Sequence, residues 1–239
     1  NIDVLSFNRL AYRVLDETGR GKLPVIEDLG KTLIIQKVMR DCLKDLGPYK
    51  KVFEKPGAAE KMKSLISELM QYRVTPEDLA DMEDEKGLPA LLKLKLGDVS
   101  VIYKKYRQYL SDRYLSAEEV PEILASAVPY SKLLKDSTVV FDGFTGFTPI
   151  QNQVIQELMR LCREVIVTVT LGEGENPYES DGEQKLFHLS KKTTADLERM
   201  AGENDVPRGR DVFLTGGTAS GAQNRYGRET EVVLNTAHR

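Results

Sequence analysis

The hydrophobic period of this chain changes at Thr138, and that change limits the folds open to it. From Asp28 to about residue 130 the apolar residues recur every three or four positions, the spacing of amphipathic helices. Leu33, Ile34, Val38, Cys42 and Leu46 form one stripe, stopped by Gly47-Pro48, and Met62, Leu65, Ile66, Leu69 and Met70 form the next. Thr75-Pro-Glu-Asp78 reads as a helix start, with a capping hydroxyl, proline at the first helical position and acids in the first turn. Val99, Ile102, Tyr103, Tyr106, Leu110 and Tyr114 make the longest stripe. Ser116 to Glu119 resembles a capping box, with Pro121 set awkwardly for a helix begun there. Past Thr138 the pattern becomes strand, helix, strand: Thr138–Phe141 as a buried strand, Thr148–Leu161 as a helix with Pro149 in its first turn, and Val165–Leu171. Two strands joined by a helix of that length pair in parallel.

The first residues add a third piece. Ile2, Val4 and Leu5 suggest a short strand, and Ser6 caps a helix carrying Leu10, Val14 and Leu15. Strand, helices, strand, helix, strand is an α/β arrangement: a parallel sheet with a large inserted helical subdomain. The expected division is an α/β domain of residues 1–27 and 131–239, with the helical insertion at 28–130. Two or three strands make a poor parallel sheet, so the layer reads as incomplete. A chain that opens on Asn1, directly in a strand-like pattern, is expected to be a piece of something longer. Beyond the second strand, residues 172–182 read as an acidic, Gly-rich loop, 186–189 as a strand or turn, 193–201 as a helix and 215–230 as loop.

Charge and cysteine usage narrow the function classes. Among 239 residues the formal net charge is −3, so any nucleic-acid contact has to come from a local patch. Cys42 and Cys162 sit in apolar helical contexts and read as reduced core thiols, which suits the cytosol. With His188 and His238 as the histidines, no Cys/His spacing resembles a metal site. No apolar run approaches the ~18 residues of a membrane span.

The residues that carry chemistry lie where the first strand ends, at Val-Val-Phe141-Asp142-Gly143-Phe144-Thr145-Gly146-Phe147-Thr148-Pro149. A parallel strand ending in a carboxylate delivers it to the edge where nucleotide sites form. An ATPase of that kind needs a second acid directly after the first, to orient the attacking water. Here that position is Gly143. An ordinary strand-ending acid is the competing reading, and no Gly-x-x-x-x-Gly-Lys-Ser/Thr loop is present; Gly216–Gly221 is Gly-rich without a lysine.

The whole stretch resembles motif II of superfamily 1 DNA helicases, and more closely the equivalent segment of the AddB family; Val4-Leu-Ser-Phe-Asn-Arg-Leu-Ala-Tyr-Arg-Val-Leu15 is similar to that family as well. The resemblance runs to about residue 205. It implies a partial RecA-like domain of the P-loop NTPase type, with residues 28–130 as a 1B-type insertion. It implies a fragment that is not catalytic alone, binds single-stranded DNA, scans for Chi in double-strand break repair and pairs with an AddA-type helicase–nuclease subunit. In the family ATP/Mg and a 4Fe–4S cluster belong to parts outside this chain, and the setting is the cytoplasm, at the nucleoid, with no membrane. Asp142, Gly143 and Gly146 then form a degenerate motif II. Phe7, Arg9, Tyr12 and Phe147 become the expected DNA-binding residues, against a plainer reading in which the aromatics are core and Arg9 a surface charge. Lys93, Lys95, Lys104, Lys105, Arg107 and Arg113 give the insertion a basic bias that reads as a solvated face. An active helicase fragment and a pure scaffold are the alternatives, and Gly143 argues against the first.

Overall fold

The computed structural model describes residues 2–20, 23–47, 50–83, 86–172, 174–180, 182–215 and 229–237, and it divides into two compact units, residues 1–123 and 124–239.

The first unit is helical. It comprises α1 (Phe7–Thr18), α2 (Asp28–Cys42), α3 (Lys50–Phe53), α4 (Ala58–Gln71), α5 (Pro76–Glu83) and α6 (Ala90–Leu110). The Ser6 hydroxyl accepts the Arg9 amide and starts α1, as its sequence suggests, and Gly19 closes it in a left-handed turn. Thr75 and Asp78 cap each other ahead of α5, each backbone amide donating to the other's side chain at 2.7 and 3.1 Å. Helices α2, α4 and α6 pack around Ile35, Val38, Met39, Cys42, Met62, Ile66, Ile102, Tyr103 and Tyr106. An isolated parallel bridge between Val25 and Leu115, reinforced by Ile26 donating to the Leu115 carbonyl at 2.8 Å, sets the two ends of the α2–α6 array side by side.

Three expectations change here. Residues 2–6 form no strand: a strand exists only through a ladder partner, and among the described residues they have none, leaving Ile2 and Val4 exposed. In α2 the buried positions are Ile35, Val38, Met39 and Cys42, whereas Leu33 is exposed. The run Leu33-Ile34-Ile35 fits two helical registers, and the packing selects the one through Ile35. Tyr114 lies past the end of α6 and is exposed, while Tyr103 and Tyr106 are core.

The chain passes through α7 (Val120–Ala127), with Pro121 in its first turn. Ser116 does not cap it. Its amide donates to Glu119 Oε2 at 2.7 Å, so the two residues form half of a capping box in a turn just before the helix. The second unit then holds β1 (Thr138–Phe141), α8 (Pro149–Leu161), β2 (Glu164–Gly172), α9 (His188–Glu203), β3 (Val212–Thr215) and β4 (Glu229–Ala237). Thr148 and Gln151 form a full capping box on α8, with Pro149 at its first position. β1 and β2 pair in parallel, Thr138 with Glu164 through Phe141 with Val167.

The rest of the sheet departs from the sequence expectation. Its order is β1-β2-β4-β3, with β4 antiparallel to both neighbours, so the sheet is mixed. β1 lies at its edge among the described residues. Phe141 is buried but Thr138 and Val140 are exposed, so β1 is covered on one face and is not the buried strand its apolar run suggests. β2 alternates instead, with Val165, Val167, Val169 and Leu171 inward. Residues 186–189 are turn and first helical turn, and α9 begins earlier than expected, at His188. Part of 215–230 is strand; Gly216–Gly221 lies outside the described residues.

Candidate functional site

The C-terminal edge of the parallel pair holds the first set of candidate residues. Asp142 follows directly on β1 and is exposed. Because Phe141 is in register with Val167, the next residue of β2, Thr168, stands beside it. The Gly143 amide donates to Thr168 Oγ1 at 3.3 Å, and that hydroxyl donates to Asp142 Oδ1 at 2.8 Å. The carboxylate is therefore oriented by its neighbour strand. The sequence alone does not single out Thr168, although the alternation of Val-Ile-Val-Thr-Val-Thr-Leu171 puts a hydroxyl on the less apolar face.

The two glycines after Asp142 differ physically. Gly143 sits at φ +75°, the left-handed region that side chains with a Cβ avoid, and a Cβ there would meet nothing within 4 Å. The backbone path favours glycine even though space is open. Gly146 lies outside that region, and a Cβ would meet Thr193 Oγ1 at 3.6 Å, an ordinary contact. Thr193 also donates to the Thr145 carbonyl at 3.3 Å, so α9 holds the loop from the other side.

Phe144 and Phe147 turn toward each other and toward β1. Their rings stack with centroids 5.1 Å apart, and each meets buried Phe141 edge-on, at 6.0 and 5.5 Å. Both are half-buried or more exposed than Phe141. Phe147 thus has its ring engaged with two others.

The remaining expected residues are on α1. Ala11, Val14 and Leu15 are buried, and Phe7, half-buried, lies on the same side by helical spacing. Arg9 and Tyr12, three apart, share the opposite, exposed side, with Tyr12 53% exposed. Arg9 makes no ion pair among the described residues, whereas Arg13, one turn on, pairs with Asp3 at 2.7 Å.

The acidic loop after β2 is not simply solvated. Glu175 pairs at 2.8 Å with Lys191, a buried lysine of α9. Tyr178 hydrogen-bonds Asp211 and lies under the Arg208 guanidinium, 4.5 Å from ring centroid to carbon, while Arg208 pairs with Asp211 and Glu198. Cys42 and Cys162 are buried free thiols, and burial pushes both up from their ordinary range. Among the described residues no group of three His, Cys, Asp or Glu could hold a metal ion, and no helix is long and apolar enough to cross a membrane.

The α/β unit thus carries an oriented carboxylate at its parallel edge, and the helical unit an exposed arginine and tyrosine. The chain belongs to the family described as "ADDB, N-terminal", whose model matches residues 1–225. It is similar to the B subunit of the ATP-dependent helicase/deoxyribonuclease of Lachnoclostridium phytofermentans, 41% identical over 202 residues, covering 84% of this chain and 17% of that protein. The protein of the same name from Thermoanaerobacter sp. (strain X514) is 31% identical over 98% of this chain and 20% of its own length. That from Geobacillus kaustophilus is 34% identical over 89% and 19%. The chain spans about a fifth of the length of these curated relatives.

Proposed function

We propose that this chain is the helicase-like part of an AddB-type protein, built on a partial RecA-like domain with a 1B-type helical insertion. It holds single-stranded DNA beside an AddA-type helicase–nuclease partner during double-strand break repair. In this reading it hydrolyses no ATP and contributes to the scan for Chi. The relatives' names, each a subunit of an ATP-dependent helicase/deoxyribonuclease, support the DNA-processing setting. The observation that carries strand binding is the exposed side of α1. Arg9 offers a charge that no acid answers among the described residues, and Tyr12 offers an open ring on which an unpaired base can stack.

In this reading the edge at Asp142 is not a working magnesium–nucleotide site: Asp142 Oδ1 accepts the Thr168 hydroxyl, and the positions where further acids would stand are Gly143 and Gly146. The loop's present role is structural: it joins β1 to α8 and packs Phe144 and Phe147 on Phe141.

Fluorescence anisotropy with a labelled single strand tests the reading. The chain is expected to bind in a salt-sensitive manner, and Tyr12→Ala to cost about 1–3 kcal/mol of affinity, the usual worth of one stacked base. Binding unchanged in both Arg9→Ala and Tyr12→Ala would remove α1 from this role. An ATPase assay, with and without the AddA-type partner, separates the active-helicase alternative: turnover lost on Asp142→Ala would favour it.

A further inference from the structure

The basic bias of the insertion resolves into unequal parts. Lys105 is answered by Asp45 at 2.5 Å and Lys104 by Glu77 at 3.9 Å. Tyr103 and Tyr106 are buried in the core. Tyr109, one turn further along α6, is different. It is half-exposed, and two cations from separate segments converge on it: Lys37 of α2, its Nζ 5.4 Å from the ring centroid, and Arg113, just past the end of α6, its guanidinium carbon at 5.3 Å. Both cations are exposed, and among the described residues neither makes an ion pair. Asp41, one turn along α2 from Lys37, does not reach it as an ion pair. Two exposed cations at one ring, with no acid paired to either among the described residues, favour a nearby anion.

We propose that Lys37, Tyr109 and Arg113 form a second nucleic-acid contact on the helical unit, one that grips the phosphodiester backbone. This rests on the proposed DNA-binding role, and the site is separate in sequence from Arg9 and Tyr12. What the cluster offers is two positive heads beside a rigid aromatic anchor. Such a contact positions DNA without reading its sequence.

The test uses the whole chain with both charges neutralised, Lys37→Gln with Arg113→Gln, and Lys37→Arg as the conservative control. All three are surface changes, and circular dichroism confirms folding. Anisotropy is measured from low to moderate salt on labelled single strands of two unrelated sequences and on a duplex. The expected result is an affinity loss of about tenfold at low salt, equal for both sequences. The slope of log K against log salt should fall by about 0.7 per lost contact on single strands, or about 0.9 on duplex. Lys37→Arg should keep wild-type binding. If the double variant binds every probe like wild type while Arg9→Ala weakens binding, this inference is overturned and the α1 reading stands. If the double variant loses affinity for a polyglutamate peptide but not for DNA, the patch is a protein contact and the inference is wrong. If the wild-type chain binds no DNA, both readings fall.

Discussion

Gly143 is the residue at which backbone geometry opposes what hydrolytic chemistry would need. The position lacks the acid that a hydrolytic site of this kind requires, and its φ of +75° disfavours any residue with a Cβ. Gly143→Glu is therefore expected to destabilise the second unit by about 1–2 kcal/mol through left-handed strain, since nothing crowds an added Cβ. Gly143→Asn should cost less, because asparagine tolerates that region. Chemical denaturation of the two variants beside wild type measures both. A glutamate variant as stable as wild type would show that the loop relaxes out of the left-handed turn. The same variant is expected to gain no ATPase activity, because one more carboxylate on a strained loop does not supply a phosphate cradle.

At the scale of elements, the firmest internal device is the buried pair between α2 and the turn before α7. Lys31 Nζ donates to Glu118 Oε1 and to Ser67 Oγ, each at 2.6 Å, and the two charged side chains are 5% and 11% exposed. Burial alone would raise the Glu118 carboxyl, but the hydrogen bond and charge of Lys31 outweigh it and hold it below its ordinary range. A lowered folded-state value means that Glu118 contributes stability above the carboxylate's unfolded range and loses it as pH falls through the folded value. Lys31→Met should cost about 3–5 kcal/mol at neutral pH, because it strands a buried carboxylate. The loss should shrink toward acid pH as Glu118 takes up a proton. Urea melts across that range check the claim; a loss independent of pH would refute it.

This device is not legible in the sequence, since Lys31 and Glu118 lie 87 residues apart and look like ordinary surface charges. Local signals are legible where the physics is local. The Ser6 cap, the Thr75–Asp78 cap and the Thr148–Gln151 box are set by residues three apart, and β1 matches the span, though not the burial, of its apolar run. Register within α2 is not, because three consecutive apolar residues satisfy two helical faces. Nor are β3 and β4: Val212–Thr215 is too short to show a period, and the antiparallel pairing of β4 with β2 joins residues far apart in the chain. At the candidate site the sequence locates Asp142 and its glycines. It misses Thr168, whose role exists only once the parallel register places it beside Asp142.

Across the whole molecule, the candidate residues separate into two kinds. The Asp142 loop serves as a packed junction between β1 and α8. The solvent-facing residues of the helical unit, Arg9 and Tyr12 on one segment and Lys37 and Arg113 on others, are the ones assigned to DNA. That division has a direct readout in which residues touch a bound strand. A single-stranded oligonucleotide carrying 5-iodouracil, photocrosslinked to the chain and mapped by mass spectrometry, reports the aromatic side chains stacked on its bases. A crosslink is expected at Tyr12, lost in Tyr12→Ala, with Phe144 and Phe147 unlabelled because their rings are engaged with each other and with Phe141. Crosslinks at Phe144 or Phe147 with Tyr12 untouched would contradict this division and return the strand to the Asp142 loop.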